Sequence, residues 1–151
     1  AYPIGCEVAN ETLDMLEEMQ TQEQWTAAKQ NWSSALTTAH TNTTPIWSLW
    51  SPSFVEEISH HPQIENIVAL GCVLAVEIKD QSGAGGYSST ASVELLDKLR
   101  SSSQKDASGL SFSIHARPLG NVVYLMSSLT TAEATLREVE RMFREALKGG
   151  E

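Results

Sequence analysis

The chain has 151 residues, of which 41% are hydrophobic, enough for one domain with a core of its own. Its net charge of −9, from 19 acids against 10 bases, leaves no basic footprint for nucleic acid, although a small anionic ligand needs only one local arginine. No run of about 18 apolar residues occurs, so no segment reads as a membrane span.

The first residue is not methionine and no targeting segment is recognisable, so the sequence reads as cut from something longer. Pro3 suits the first turn of a helix, where its fixed φ and missing N–H are tolerated. Ile4, Val8, Met15 and Met19 recur from there with helical spacing, joined by Leu13 and Leu16, and predict a helix to about Gln20. Thr21 and Gln24 stand in capping-box positions for a second helix carrying Trp25, Ala28, Trp32, Ala35 and Leu36 on one face. Residues 41–46, TNTTPI, break that pattern. A third helix is predicted over Trp47 to Ile58, stopped at Ser59-His60-His61-Pro62 because the residue before a proline avoids the α region.

Residues 64–70 and 72–79 read as two strands separated by a turn or bulge at Gly71. The glycine-rich stretch from Gln81 to Ser89 reads as a flexible connector. A helix over 90–102 carries Ala91, Leu95, Leu96 and Leu99, and residues 101–108 read as a loop. Leu110 to Ile114 alternates apolar and polar as a half-buried strand does, and Val122 to Met126 is a β-branched and aromatic run. Thr130 to Glu133 spells a capping box for a last helix with Leu136, Val139, Met142, Phe143, Ala146 and Leu147 on one face. Glu133–Arg137, Glu140–Arg144 and Arg141–Glu145 lace its exposed side at i,i+4, and Gly149 ends it. Three helices followed by β-β-α-β-β-α define an α+β unit, a small antiparallel or mixed sheet covered by helices.

Most chemistry-bearing residues have an ordinary structural reading. Cys6 and Cys72 are far apart, belong to no CxxC pair and read as buried reduced thiols. The sequons at Asn10, Asn31 and Asn42 read as chance. His40, His60 and His61 lack the spacing and cysteine partners of a metal set, and no metal site is predicted. Gly83-Ala84-Gly85-Gly86 lacks the Lys-Ser/Thr of a phosphate loop. Trp25, Trp32, Trp47 and Trp50 read as packing. Arg117 is the exception. It stands between the two C-terminal strand runs, at a turn supplied by Pro118 and Gly120, where a scaffold can aim a guanidinium at a carboxylate or phosphate. His115 adjoins it, and Tyr124 shares the neighbourhood if those strands pair. On these residues alone, a regulatory α+β module grasping a small anionic effector remains open.

Three segments carry a family resemblance. AYPIGCEVAN opening a helix, NIVALGCVLAVEI, and HARPLGNVVYLMSSLT followed by an amphipathic helix together resemble the C-terminal part of class III, fold-type I pyridoxal-phosphate aminotransferases. The last segment, with the insertion around PIWSLWSPSFVEEISHH, is most similar to the adenosylmethionine–8-amino-7-oxononanoate aminotransferases of biotin biosynthesis, in the eukaryotic form fused to dethiobiotin synthase. The resemblance implies that residues 1–62 lead from a large domain into a small C-terminal domain, 63–151. It implies transfer of the amino group of S-adenosylmethionine to 8-amino-7-oxononanoate, with pyridoxal phosphate as electron sink. By position Arg117 matches the arginine that binds the substrate carboxylate, Tyr124 matches a tyrosine lining the pocket, and Pro3 lies in a loop near the cofactor phosphate of a partner subunit. None of Lys29, Lys79, Lys98, Lys105 or Lys148 stands in the context of the family's Schiff-base lysine, so no catalytic residue is expected in this chain and it is expected to be inactive alone. A homodimer acting on small molecules is implied, in mitochondria for the fused form and in the cytoplasm otherwise. A class III aminotransferase of another specificity is the alternative within the family.

Overall fold

A computed structural model describes residues 2–36, 46–83, 85–105 and 109–148; His40, Asn42 and the helix stop at Gly149 lie outside them. The first helix, α1, spans Pro3–Met19 with the proline in its first turn, and α2 spans Glu23–Leu36. The capping box expected between them does not form. The Thr21 hydroxyl donates back to the Glu18 carbonyl at 2.9 Å, and Gln24 donates across the molecule to the Thr131 carbonyl at 2.8 Å. The third helix, α3, is Pro52–Ser59, shorter than predicted. A proline is accepted at the start of a helix and rejected inside one, and Ser51 caps the start by accepting from the Phe54 N–H at 3.3 Å. Residues 47–51 instead lie outside any helix, with Ser48 bridged in parallel to Gly71.

Strands β1 (Ile64–Leu70) and β2 (Val73–Ile78) form the expected hairpin, turning at Gly71, whose φ of +54 favours glycine. The irregularity in their pairing lies between Ile64 and Asn66, away from the turn. After a short 3₁₀ turn at Gly86–Ser88 comes α4, Val93–Ser101. The C-terminal strand region departs from expectation. Ser103–Lys105, read as loop, is β3, and it pairs with β4 (Ser111–Ser113) in a separate two-stranded sheet. The partner of β6 (Val122–Met126) is a strand missed by the sequence pattern, β5 (Arg117–Leu119). Arg117 therefore lies within a strand, not at a turn between the two predicted ones. The last helix, α5, spans Glu133–Lys148.

The main sheet has the order β1-β2-β6-β5, with every neighbouring pair antiparallel. Alternation then sorts the side chains. Leu74, Val76 and Ile78 of β2 and Val123 and Leu125 of β6 point into a core shared with Phe54 and Ile58 of α3, Leu95, Leu96 and Leu99 of α4, and Leu136, Met142, Phe143 and Leu147 of α5. Phe54 and Phe143 meet edge to face with centroids 5.9 Å apart. The opposite sheet face is open, and Val68, Leu70, Tyr124 and Met126 stay exposed on it. The face of α1 is likewise uncovered at Ile4, Val8, Leu13 and Met15; only Met19 is buried.

Cys72 is half-buried and Cys6 is exposed, against the expectation of two buried thiols; both are free. The tryptophans pack as predicted. Trp25 and Trp47 meet tilted, with centroids 5.1 Å apart, while Trp32 and Trp50 donate to the Trp50 and Cys72 carbonyls at 3.0 and 3.1 Å. The laced face of α5 is rearranged. Arg141 pairs with both Glu138 and Glu145, but Arg144 reaches Glu57 at 2.7 Å and Arg137 reaches Glu140 at 2.8 Å. At its start, the Thr130 hydroxyl is hydrogen-bonded with the Ser128 hydroxyl at 2.8 Å in place of the capping box.

Candidate functional site

Two adjacent residues of the chain order set the site: Gly120 and Asn121 close a two-residue hairpin between β5 and β6. Gly120 takes a φ of +64 at the first central position, as such a turn requires. The hairpin places Arg117 directly opposite Tyr124, and the same row continues through Ala75 on β2 to Val68 on β1. Directly opposite residues share a face, so these four line the open side of the sheet. Arg117 is exposed there. Pro118, whose missing N–H weakens any further pairing, keeps β5 an edge strand.

Arg117 differs from the other arginines of the chain. Arg100 donates to the Ala116 carbonyl at 3.0 Å; Arg137, Arg141 and Arg144 all hold carboxylates. Among the described residues, only the Arg117 guanidinium has no hydrogen-bonding or ionic partner within the chain. Its strand position lies on the open face directly opposite Tyr124, where a guanidinium is able to hold a planar anion at two oxygens. His115 is also exposed and borders a 240 Å³ cavity with Phe112, Leu125, Met126 and Ser128. Pro3 opens α1 at its exposed outer end, and no hydrogen bond or ion pair among the described residues joins it to Arg117 or Tyr124.

The lysines are placed elsewhere. Lys29 lies over the Trp25 and Trp47 rings, 5.9 and 5.4 Å from their centroids, and Lys98 pairs with Glu94 at 2.7 Å. Lys79, Lys105 and Lys148 are exposed. Among the described residues no group of three His, Cys, Asp or Glu could hold a metal ion, and no helix is long and apolar enough to cross a membrane.

Two polar arrangements were missed by the sequence reading. Glu140, expected on the solvated side of α5, is only 2% exposed. It accepts from the Ser51 N–H at 2.7 Å and the Ser51 hydroxyl at 3.0 Å, and pairs with Arg137, whose guanidinium also reaches the Leu49 carbonyl at 2.5 Å. The signal was available, since Leu136, Glu140, Phe143 and Leu147 share one helical stripe. The glycine-rich connector is also organised. The Asp80 carboxylate accepts from the Ser82 N–H at 2.8 Å, the Ser82 hydroxyl at 2.5 Å and the Gly85 N–H at 3.3 Å. Hydrogen bonds from the Ser82 and Ser89 side chains lead the causes that lower its pKa to about 2.

No family model matches the chain. Over 148 residues, 97% of its length, it is 38% identical to the bifunctional dethiobiotin synthetase/adenosylmethionine-8-amino-7-oxononanoate aminotransferase of Emericella nidulans. Over 66% of its length it is 34% identical to the bifunctional dethiobiotin synthetase/7,8-diamino-pelargonic acid aminotransferase, mitochondrial, of Oryza sativa. The chain spans 17% and 11% of these relatives' own lengths. Among solved structures it is similar to a transaminase with L-ala, at a TM-score of 0.60 and 15% identity, covering 97% of this chain and 28% of that one. The omega transaminase from Pseudomonas jessenii in complex with PMP gives 0.57 and 18%, covering 94% and 26%. At such identities these likenesses describe the fold, which is that of part of a transaminase.

Proposed function

We propose that this chain, which belongs with the bifunctional dethiobiotin synthetase/adenosylmethionine-8-amino-7-oxononanoate aminotransferases, supplies the carboxylate-binding part of such an enzyme's active site. On this reading residues 63–151 are the small C-terminal domain and 1–62 lead into it. The reaction moves the amino group of S-adenosylmethionine to the ketone of 8-amino-7-oxononanoate. Arg117 donates two hydrogen bonds to the carboxylate of the oxononanoate, and Tyr124 opposite walls its aliphatic chain. Pyridoxal phosphate supplies the electron sink of the reaction. Its covalent lysine is assigned outside these 151 residues, so the chain by itself is inactive. Pro3 is assigned to the loop that faces the cofactor phosphate across a homodimer. Mitochondrial placement follows the plant relatives' names.

The observation that carries the reading is the partnerless, outward-facing Arg117 paired with Tyr124 on an apolar sheet face. Every other arginine among the described residues is used to hold the fold. In the complete aminotransferase, Arg117→Ala is expected to weaken oxononanoate recognition by about 2–4 kcal/mol, the scale of a desolvated charge-paired contact. That is a rise of roughly 30- to 1000-fold in its KM, with the KM for S-adenosylmethionine within about threefold of the parent. An equal rise for both substrates would overturn the assignment. Incubating the chain alone with pyridoxal phosphate and borohydride tests the other half: a stable adduct at one lysine would sink it.

A further inference from the structure

The open sheet face carries a second charged residue close to Arg117. On β2, side chains alternate so that Val73, Ala75 and Glu77 share the outward face while Leu74, Val76 and Ile78 point inward. Glu77 is opposite Val122, which is opposite Leu119, two residues from Arg117 along β5. Two strand spacings across and two residues along put the Glu77 and Arg117 Cα atoms about 12 Å apart. Extended side chains of an arginine and a glutamate together cover that distance. A carboxylate in reach of an anion-binding guanidinium competes with any ligand for it, because the pair can form without one.

In this structure Glu77 is engaged elsewhere. The Asn121 side-chain amide donates to Glu77 Oε1 at 3.1 Å and to the Ile78 carbonyl at 3.1 Å, while the Ile78 N–H donates to the Asn121 carbonyl at 2.8 Å. Asn121 is itself 6% exposed and cannot swing away. Its neighbour Gly120 is held from two further sides. The Ser92 hydroxyl donates to the Gly120 carbonyl at 2.6 Å, and the Gly86–Tyr87 backbone is so close that a Cβ on Gly120 would lie 1.8 Å from the Gly86 carbonyl oxygen. A clamped hairpin tip thus presents one amide to one carboxylate. We infer that Asn121 is a positioning residue that ties Glu77 down and so keeps the Arg117 guanidinium free for the substrate carboxylate.

The inference rests on the proposed role of Arg117, and the test separates the two. In the complete aminotransferase, Asn121→Ala releases Glu77 and should raise the KM for 8-amino-7-oxononanoate about tenfold, leaving kcat and the KM for S-adenosylmethionine within about twofold. Adding Glu77→Gln to Asn121→Ala removes the competing charge and should restore the KM to within about threefold. A double variant as impaired as the single one means Asn121 acts only by shaping the fold, and overturns the inference. Labelling Arg117 with phenylglyoxal, followed by mass spectrometry, reads the guanidinium without reference to any substrate. The rate should fall several-fold in Asn121→Ala and recover in the double variant. If Arg117→Ala leaves the oxononanoate KM unchanged while labelling follows this pattern, the function fails and the tether stands. If Arg117→Ala raises the KM and labelling is flat, the tether alone fails. Should Asn121→Ala not fold, Asn121→Ser, which keeps a donor too short to reach Glu77 and Ile78 together, replaces it with the same expected outcomes.

Discussion

Arg137 and Arg117 are the same residue type in two regions of one small domain, and they are accommodated in opposite ways. Arg137 sits where α5 meets the non-helical segment before α3, bound to Glu140 and to the Leu49 carbonyl, with its Nε buried and unpartnered. Around it Ser51 supplies both a backbone and a side-chain donor to the same carboxylate, and Trp32 and Trp50 tie that segment to α2 and to the β1–β2 turn. Arg117 sits on an open strand face with no partner of its own. The difference teaches that in this chain internal pairing marks an arginine as structural. The one whose donors are left over points outward, where a ligand can use them.

The comparison breaks most severely at Glu140. Removing a buried carboxylate strands the Ser51 donors and one arginine at once, so Glu140→Ala should cost about 2–4 kcal/mol, read as a lowered denaturant midpoint at unchanged slope. Glu140→Gln keeps an acceptor for Ser51 and should lose less. A near-neutral Glu140→Ala would mean that the contacts of Glu140 with Ser51 and Arg137 do not hold the fold. A smaller effect comes from the other side of the same segment. Trp32→Phe keeps the ring but leaves the Trp50 carbonyl without its 3.0 Å donor, which should cost about 1 kcal/mol. If α2 were only loosely attached there, the midpoint would not move.

How much of this was legible depended on how far each signal reached along the chain. The β1–β2 hairpin, its Gly71 turn and the apolar face of α5 are local patterns, and they were read correctly. Strand β5 was not, because Arg-Pro-Leu is three exposed residues with no alternation to detect and a proline that argues against a strand. Arg117 was thus found as a candidate on the wrong premise, a turn between two strands that do not pair. Its outward direction came only from the register with Tyr124. Glu140 was assigned to solvent because an arginine follows four residues later, while the partners it holds are Arg137, three residues earlier, and Ser51, 89 residues away. The open faces of α1 and of the sheet were invisible for a different reason. Periodicity marks which residues are apolar together, and it does not say whether anything covers them.

The glycine-rich segment sharpens the contrast through pH. Asp80 has a folded pKa lowered to about 2 by its hydrogen bonds from Ser82, Ser89 and Gly85. A depressed carboxylate pKa stabilises the fold above the ordinary carboxylate range, and that contribution is lost as pH falls from about 4 through 2. The advantage of the parent over Asp80→Asn, read by thermal unfolding, should therefore be constant near neutrality and shrink on acidification. An advantage that grew as pH fell would reverse the assignment. The effect should be small, since Asp80 is only half-buried and solvent screens its charge.

The smallest expected effect is the most telling. Arg117 is exposed and partnerless, and its cross-strand neighbour Tyr124 keeps its strand pairing with Ala75 when the arginine is removed. Arg117→Ala should change folding stability by no more than about 0.5 kcal/mol, in either direction, as surface substitutions away from buried networks do. Such an outcome, beside the proposed loss of up to three orders of magnitude in recognition of one substrate, is what a residue held there for its ligand requires. Had Arg117 been a scaffold arginine like Arg137, stability and recognition would fall together, and a stability loss above about 1 kcal/mol in Arg117→Ala would place it in that class.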